Sequence, residues 1–269
     1  MKSRRRSTAS PSGTYVYGVM RSRSKPMVPS RLKGLPGTGA VRALSVADGI
    51  WLIVADAPIG EYSTEAIERG LRDLDWVSSC ASRHESVVER FAARGTFAPT
   101  KLFTIFDSDA RARASIGGDL SRIEAALDRI EGRHEWGVRV LLDERRALSQ
   151  AQARSSKNSR RASGTGATFL AQKKAERDAA RTLLAEGRRA MGDVFTALGR
   201  RAHDARRRGP TQAEAGTRLL LDAAFLVPIR DTARFKSAVD QVSRDIGRRG
   251  YDLTLTGPWP PYSFVGERE

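Results

Sequence analysis

The spacing of apolar residues after Leu219 limits this chain to few folds, because it changes from strand to helix and back within forty residues. Leu219 to Ile229 is an apolar run of strand length, and Tyr251 to Thr256 reads as a second strand. Between them, Asp231 to Arg248 carries Phe235, Val239, Val242 and Ile246 at helical intervals on one face. Upstream, Glu135 to Leu142 has strand character, and Thr168 to Arg208 is an Ala- and Arg-rich helical region. Leu183, Met191, Val194 and Leu198 mark its buried side, and Gly187, Gly192 and Gly199 predict breaks in it. The order from about 133 to 257 is therefore β-α-β-α-β. One-sided helices must cover one face of an antiparallel sheet, so a small α+β domain of ferredoxin-like order is expected.

The first half repeats the alternation less regularly. Tyr15 to Met20 is a short β-rich run, followed by a glycine-rich loop through Gly34, Gly37 and Gly39. Val41 to Val46 and Ile50 to Ala55, split by Asp48-Gly49, predict a hairpin with a primed turn. From Ser63, a capping residue, Ile67, Leu71, Leu74, Val77, Cys80, His84, Val87 or Val88, and Phe91 recur every three or four residues up to Gly95. That is one long helix or two abutting ones. Thr96 to Phe106 resembles a strand, with Pro99 restricting it to an edge or a bulge. Ile116, Leu120, Ile123, Leu127 and Ile130 form a second helical pattern, weakened at Gly117-Gly118 and stopped at Gly132. A length of 269 residues suits two domains. The expected divisions are a basic disordered extension over 1–13, an N-terminal α+β domain over 14–132, a C-terminal domain over 133–257 and a tail over 258–269.

A formal charge of +16 attracts nucleic acid, anionic membranes or acidic proteins without choosing among them. Part of it sits in a Ser-rich stretch: Arg145, Arg146, Arg154, Lys157, Arg160 and Arg161 face only Glu144, which reads as a solvated linker over 144–166. No run approaches the roughly 18 to 20 apolar residues that span a bilayer, and the basic start leads into no apolar segment, so neither membrane insertion nor a secretory signal is expected. Cys80, the single cysteine, cannot form an internal disulfide and suits a reducing, cytoplasmic setting.

The chemical motifs are weak. The Gly34 to Gly39 loop lacks the Gly-Lys-Ser/Thr ending of a phosphate cradle and precedes a strand instead of a helix, which leaves it a flexible connector. His84, Glu85 and Glu89 could approach a metal, but Val88 stands where a zinc protease motif needs its second histidine. No Ser, Thr or Cys sits in a nucleophile elbow. The basic runs lack the interleaved aromatics that stack bases, so nucleic-acid binding is the alternative to a protein-binding role.

Leu255-Thr256-Gly257-Pro258-Trp259-Pro260-Pro261-Tyr262-Ser263-Phe264 resembles the ending of the gas vesicle GvpF/GvpL family. Tyr15-Val16-Tyr17-Gly18-Val19 is similar to that family's opening strand, and Ala57-Pro58-Ile59-Gly60-Glu61-Tyr62 to its segment before the first helix. His84-Glu85 with Val87-Val88, then Glu135 to Val140 and Asp222 to Val227, complete the series in order. Where the family tends to have Pro-x-Arg-Phe-Gly-Thr, this chain reads Pro99-Thr100-Lys101-Leu102-Phe103-Thr104, keeping the charge and losing the glycine.

The resemblance implies an N-terminal α+β domain, a modified ferredoxin-like C-terminal domain and a C-terminal tail. It further implies a non-enzymatic assembly or minor structural role at the gas vesicle in the cytoplasm, with the shell protein and other accessory proteins as partners. It implies no catalytic residue, no metal ligand, no cofactor and no specific nucleic acid. Trp259, Pro260, Pro261 and Tyr262 are the candidate partner-binding residues, in an ordered tail that either packs on its own domain or is offered to a partner, since prolines lower the entropy lost on ordering while Trp and Tyr supply large apolar faces with a polar handle.

Overall fold

A computed structural model describes residues 12–143, 166–209 and 217–266, and the chain is α+β, with helices beside antiparallel sheets. It falls into two compact units, Met1–Gly132 with Pro260–Glu269, and Arg133–Trp259. Of the basic segments expected over 1–13 and 144–166, residues 1–11 and 144–165 lie outside the described residues, whereas Ser12 and Gly13 already belong to a strand and pair with Pro58 and Ala57.

The first unit is built on β1 (Ser12–Arg21), which is buried along nearly its whole length. Its neighbours are β2 (Arg42–Ala47), β3 (Ile50–Pro58), β4 (Phe97–Pro99) and β5 (Ile105–Phe106), in the order β2-β3-β1-β4 with β5 also on β1. Between β3 and β4 run α1 (Ile59–Tyr62), α2 (Thr64–Gly70) and α3 (Leu74–Ala92), and α4 (Asp109–Gly117) and α5 (Leu120–Ile130) follow β5. Ser63 caps α2 through the amide of Ala66, and Asp73 caps α3 through those of Asp75 and Trp76. Tyr15, Tyr17, Ile53, Val87, Val88, Phe91 and Phe97 form the core between sheet and helix.

Four expectations change here. The hairpin turn is not primed: Gly49 alone has positive φ (71°), Asp48 does not, and a bulge between Ser45 and Ala47 absorbs the extra residue. Leu71 and Leu74, counted on the buried helical face, are 53% and 82% exposed, because the new cap at Asp73 resets the helical phase between α2 and α3. The strand expected over Thr96 to Phe106 is two short ones, separated by a loop that hydrogen-bonds to β1 through the Thr100 amide and the Thr104 carbonyl. The Gly34 to Gly39 loop is not a flexible connector. Leu35 is buried, its amide donates to the Tyr17 hydroxyl (3.0 Å), and Tyr62 donates to the Pro36 carbonyl.

In the second unit, β6 (Arg133–Asp143) leads across the undescribed segment to α6 (Gly166–Gly199), then β7 (Asp204–Arg207), β8 (Thr217–Pro228), a 3-10 turn (Ile229–Asp231), α7 (Thr232–Gly247) and β9 (Tyr251–Trp259). The strands lie antiparallel in the order β7-β8-β6-β9. Trp136, Val138, Val140 and Leu142 alternate inward from β6 to meet Met191, Val194 and Leu198 of α6 and Phe235, Val239 and Ile246 of α7. Phe225 sits between the rings of Phe195 (5.7 Å) and Phe235 (5.5 Å). The glycines expected to break α6 do not: a Cβ at Gly187 would lie 3.0 Å from Leu220 Cδ1, so that glycine admits the sheet to the helix. The side chain of Leu183 lies outside the described residues. Asp204 to Arg207, expected as the end of the helix, is the edge strand β7, whose charged side chains suit an edge. After β9, which extends three residues past the expected Thr256, α8 (Tyr262–Val265) returns the chain to the first unit.

Phe103 has φ 63°, the one positive value at a non-glycine position among the described residues, and it stands where the family resemblance would place glycine. A left-handed conformation costs a non-glycine residue about 1 kcal/mol. Against this, the Phe103 ring stacks on Trp76 (5.3 Å, 9°), and such a pair contributes about 1 kcal/mol beyond area burial. Phe103→Ala, which keeps the strain and loses the stack, is expected to be the less stable variant, with Phe103→Gly recovering about 1 kcal/mol of the loss by relieving the backbone. Urea denaturation of both chains measures the order; a glycine variant weaker than the alanine variant contradicts it.

Candidate functional site

Helix α3 places Cys80, His84, Val87, Val88 and Phe91 on one buried stripe, at intervals of four, three, one and three residues. Apolar neighbours on that stripe fill the core, and His84 is its polar exception at 4% exposure. The tyrosines of β1 meet it. The Tyr15 hydroxyl lies 2.7 Å from His84 Nδ1 and accepts the Phe103 amide at 3.3 Å, so its proton goes to the imidazole. This places the ring proton of the neutral imidazole on Nε2. The Tyr17 ring stacks on His84 at 5.6 Å and 27°.

The fourth wall comes from the far end of the chain. Tyr262 of α8 lies 6.3 Å from the His84 ring, centroid to centroid, and donates its hydroxyl to Glu85 Oε2 at 2.8 Å. Pro260, Pro261 and Phe264 are buried beside it, and Arg129 of α5 donates to the Phe264 carbonyl at 3.2 Å. The four tail residues singled out in the sequence therefore divide. Trp259 ends β9 and is 41% exposed, Pro260 and Pro261 are buried, and Tyr262 is half-buried and hydrogen-bonded. Sequence reasoning missed the contribution of Tyr15 and Tyr17, whose only signal was two aromatics at i and i+2 in an apolar strand.

Burial sets the electrostatics. It lowers the His84 pKa to about 4, with the Thr100 backbone acting weakly the other way, so the imidazole is neutral at pH 7. Glu85 is raised, first by burial and then by the neighbouring Glu89, with the Tyr262 hydrogen bond opposing both. The Cys80 thiol is raised by burial, which outweighs the opposing effect of the neighbouring Tyr62 hydroxyl. His84 Nδ1 and Glu85 Oε2 are committed to tyrosines and Glu89 is exposed, so the trio does not converge on one point. Among the described residues no group of three or more His, Cys, Asp or Glu side chains is placed to hold a metal ion. In the second unit, the buried Glu135 and Asp222 are both held by Arg208 (2.6 and 3.4 Å), and Asp222 also by Arg139 (3.0 Å). These carboxylates neutralise charge and tie strands. No helix among the described residues is long and apolar enough to cross a membrane.

Against known proteins, residues 13–266 match the profile of the family described as gas vesicle synthesis protein GvpL/GvpF. The chain is 32% identical over 272 residues to gas vesicle protein L of a Streptomyces species, covering 95% of this chain and 93% of that protein. It is 28% identical over 257 residues to gas vesicle protein F of the same source, covering 94% and 99%. Its fold is shared with the crystal structure of gas vesicle protein GvpF from an Anabaena species, at a TM-score of 0.67 and 18% identity, covering 96% of this chain and all of that one.

The buried imidazole makes the fold acid-sensitive. With a folded pKa near 4 and an unfolded value of 6.5, only the unfolded state takes up the proton between those limits. The His84 contribution is therefore fully present above pH 6.5 and lost as the pH falls toward 4, a change on the order of 3 kcal/mol. Glu85 acts oppositely, since its raised pKa means that acidification relieves a buried charge. Comparing the chain with His84→Gln isolates the histidine. The stability gap between them is expected to shrink from pH 7 to pH 4 in denaturation experiments, and a constant gap would show that His84 is not the titrating group.

Proposed function

The chain belongs to the gas vesicle synthesis protein GvpL/GvpF family and has a gas-vesicle-related role, and from that premise we propose that it acts without catalysis, as an assembly or minor structural protein. It works at the vesicle, binding the shell protein and other accessory proteins. The observation that carries this reading is the family match across residues 13–266. The polar cluster around His84 adds support, because the Tyr15 and Tyr262 hydroxyls join β1 and the tail to α3. A shell that keeps water from gas must expose apolar surface before it polymerises, and such surface aggregates unless it is covered. Covering it requires area and shape.

Within the same reading, the second unit is a ferredoxin-like module. Its β-α-β-β-α-β order and the central position of β6 and β8 support this, as does the packing of both helices on one core. Trp259 is the partner-facing member of the tail, while Pro260, Pro261 and Tyr262 hold the tail in place. Leu71 and Leu74, exposed at the junction of α2 and α3, supply further apolar contact area.

Two variants separate anchoring from recognition. Trp259→Ala is expected to change stability by about 0.5 kcal/mol or less and to weaken binding to purified shell protein about tenfold or more. A chain ending after Trp259 loses Phe264 and the Tyr262–Glu85 hydrogen bond, and is expected to melt earlier. Undiminished shell-protein binding by Trp259→Ala would remove that residue from recognition, and the same result with the Leu71→Ser/Leu74→Ser pair would remove the α2–α3 junction. Normal, buoyant vesicles in a host lacking the gene would remove the function itself.

A further inference from the structure

The second unit has a cleft of about 350 Å³ where the end of α6 meets the start of α7. Arg200, Arg201 and His203 reach it from the turn after α6, and Asp231 and Arg234 from the 3-10 turn and the first turn of α7. Among the described residues, none of the three arginines forms an ion pair, and Asp231 is approached by Arg230 at 3.7 Å.

The fold accounts for only part of this arrangement. Arg200 and Arg201 follow the C-terminus of a helix, where cations complement the macrodipole. Arg234 stands in the first turn of α7, where the same dipole disfavours a cation, and the Asp231 side chain makes no capping bond there. Three guanidinium groups bordering one cleft also repel one another. A bound anion relieves the repulsion and reverses the sign of the dipole effect at α7. Guanidinium is suited to carboxylate because its planar fork makes two parallel hydrogen bonds.

The geometry points to a binding site for an acidic peptide segment of a partner protein, bearing two or more Asp or Glu side chains that enter this cleft and pair with Arg200, Arg201 and Arg234. Its compactness favours a few side chains over a polymer track. Among the described residues, no aromatic side chain lines it to stack a base. The inference does not rest on the shell-protein reading, because its test uses the protein and a synthetic ligand alone.

The probe is a fluorescein-labelled ten-residue peptide of alternating Glu and Ala, with the Gln-for-Glu peptide and a labelled ten-nucleotide oligo-dT as comparisons. Fluorescence anisotropy with the full chain reads the affinities. The triple variant Arg200→Gln/Arg201→Gln/Arg234→Gln is expected to bind the acidic peptide at least about tenfold more weakly. A control, Arg244→Gln/Arg248→Gln/Arg249→Gln, removes equal charge toward the other end of α7, about 15 to 21 Å from Arg234 along the helix. It is expected to change binding less than about threefold. Equal losses in the two triples would show only the general field of a basic chain, and no loss in either would show no site; both overturn the proposal. Oligo-dT binding tighter than the acidic peptide, with the same loss in the cleft variant, overturns it in favour of nucleic acid. If the cleft triple fails to match the native circular dichroism, Arg234→Gln alone carries the test, with about a threefold loss expected and an unchanged affinity overturning the site.

Discussion

A hydroxyl group in a dry core must find a partner, and the first unit is arranged around two that do. Tyr15 and Tyr17 of β1 have rings with no solvent exposure. Their hydroxyls reach three different segments: Tyr15 engages His84 of α3 and the amide of Phe103, and Tyr17 receives the amide of Leu35. Each bond fixes a segment that apolar packing alone would leave free to slide, because an unpaired buried hydroxyl or amide costs on the order of 1 to 3 kcal/mol. Strand β1 therefore sets the position of the helix and of two loops together.

The regular elements were readable in the sequence wherever burial was one-sided or complete. The spacing of Phe235, Val239 and Ile246 defines α7, and the apolar run of β8 marks a strand buried on both faces. Reading failed where the structure depends on contacts between distant residues. Asp204 to Arg207 carries two arginines and no large apolar residue, so nothing local separates that edge strand from the end of a polar helix. Leu71 and Leu74 fit the helical period and are exposed because the three-residue interruption at 71–73 rotates the next helix away from it. Gly187 looked like a weakness in α6 and is a point of close approach, a distinction that depends on Leu220.

The site was legible in pieces. His84-Glu85 and Pro260-Pro261-Tyr262 both drew notice, but no spacing in the sequence joins residues 177 positions apart, and only their common likeness to one family placed them in a series. The structure supplies the link as a tyrosine–carboxylate hydrogen bond. Phe103 is the converse case. The sequence loses a glycine there, the backbone keeps the left-handed conformation that glycine favours, and the stack on Trp76 stands in compensation. A local rule is broken at that residue while the tertiary arrangement persists.

Residues 260–266 complete the core of the first unit, yet they are synthesised after the whole of the second. On the ribosome, the strands and helices before Gly132 emerge first and wait without Tyr262 over the His84 ring or Phe264 in its buried position. Folding from one end to the other cannot finish the first unit in a single pass. It closes only after β6 to β9 have been made, so a growing chain displays an aromatic-lined opening that the finished protein covers. Completion of the first unit is thus tied in time to the synthesis of residues 260–266.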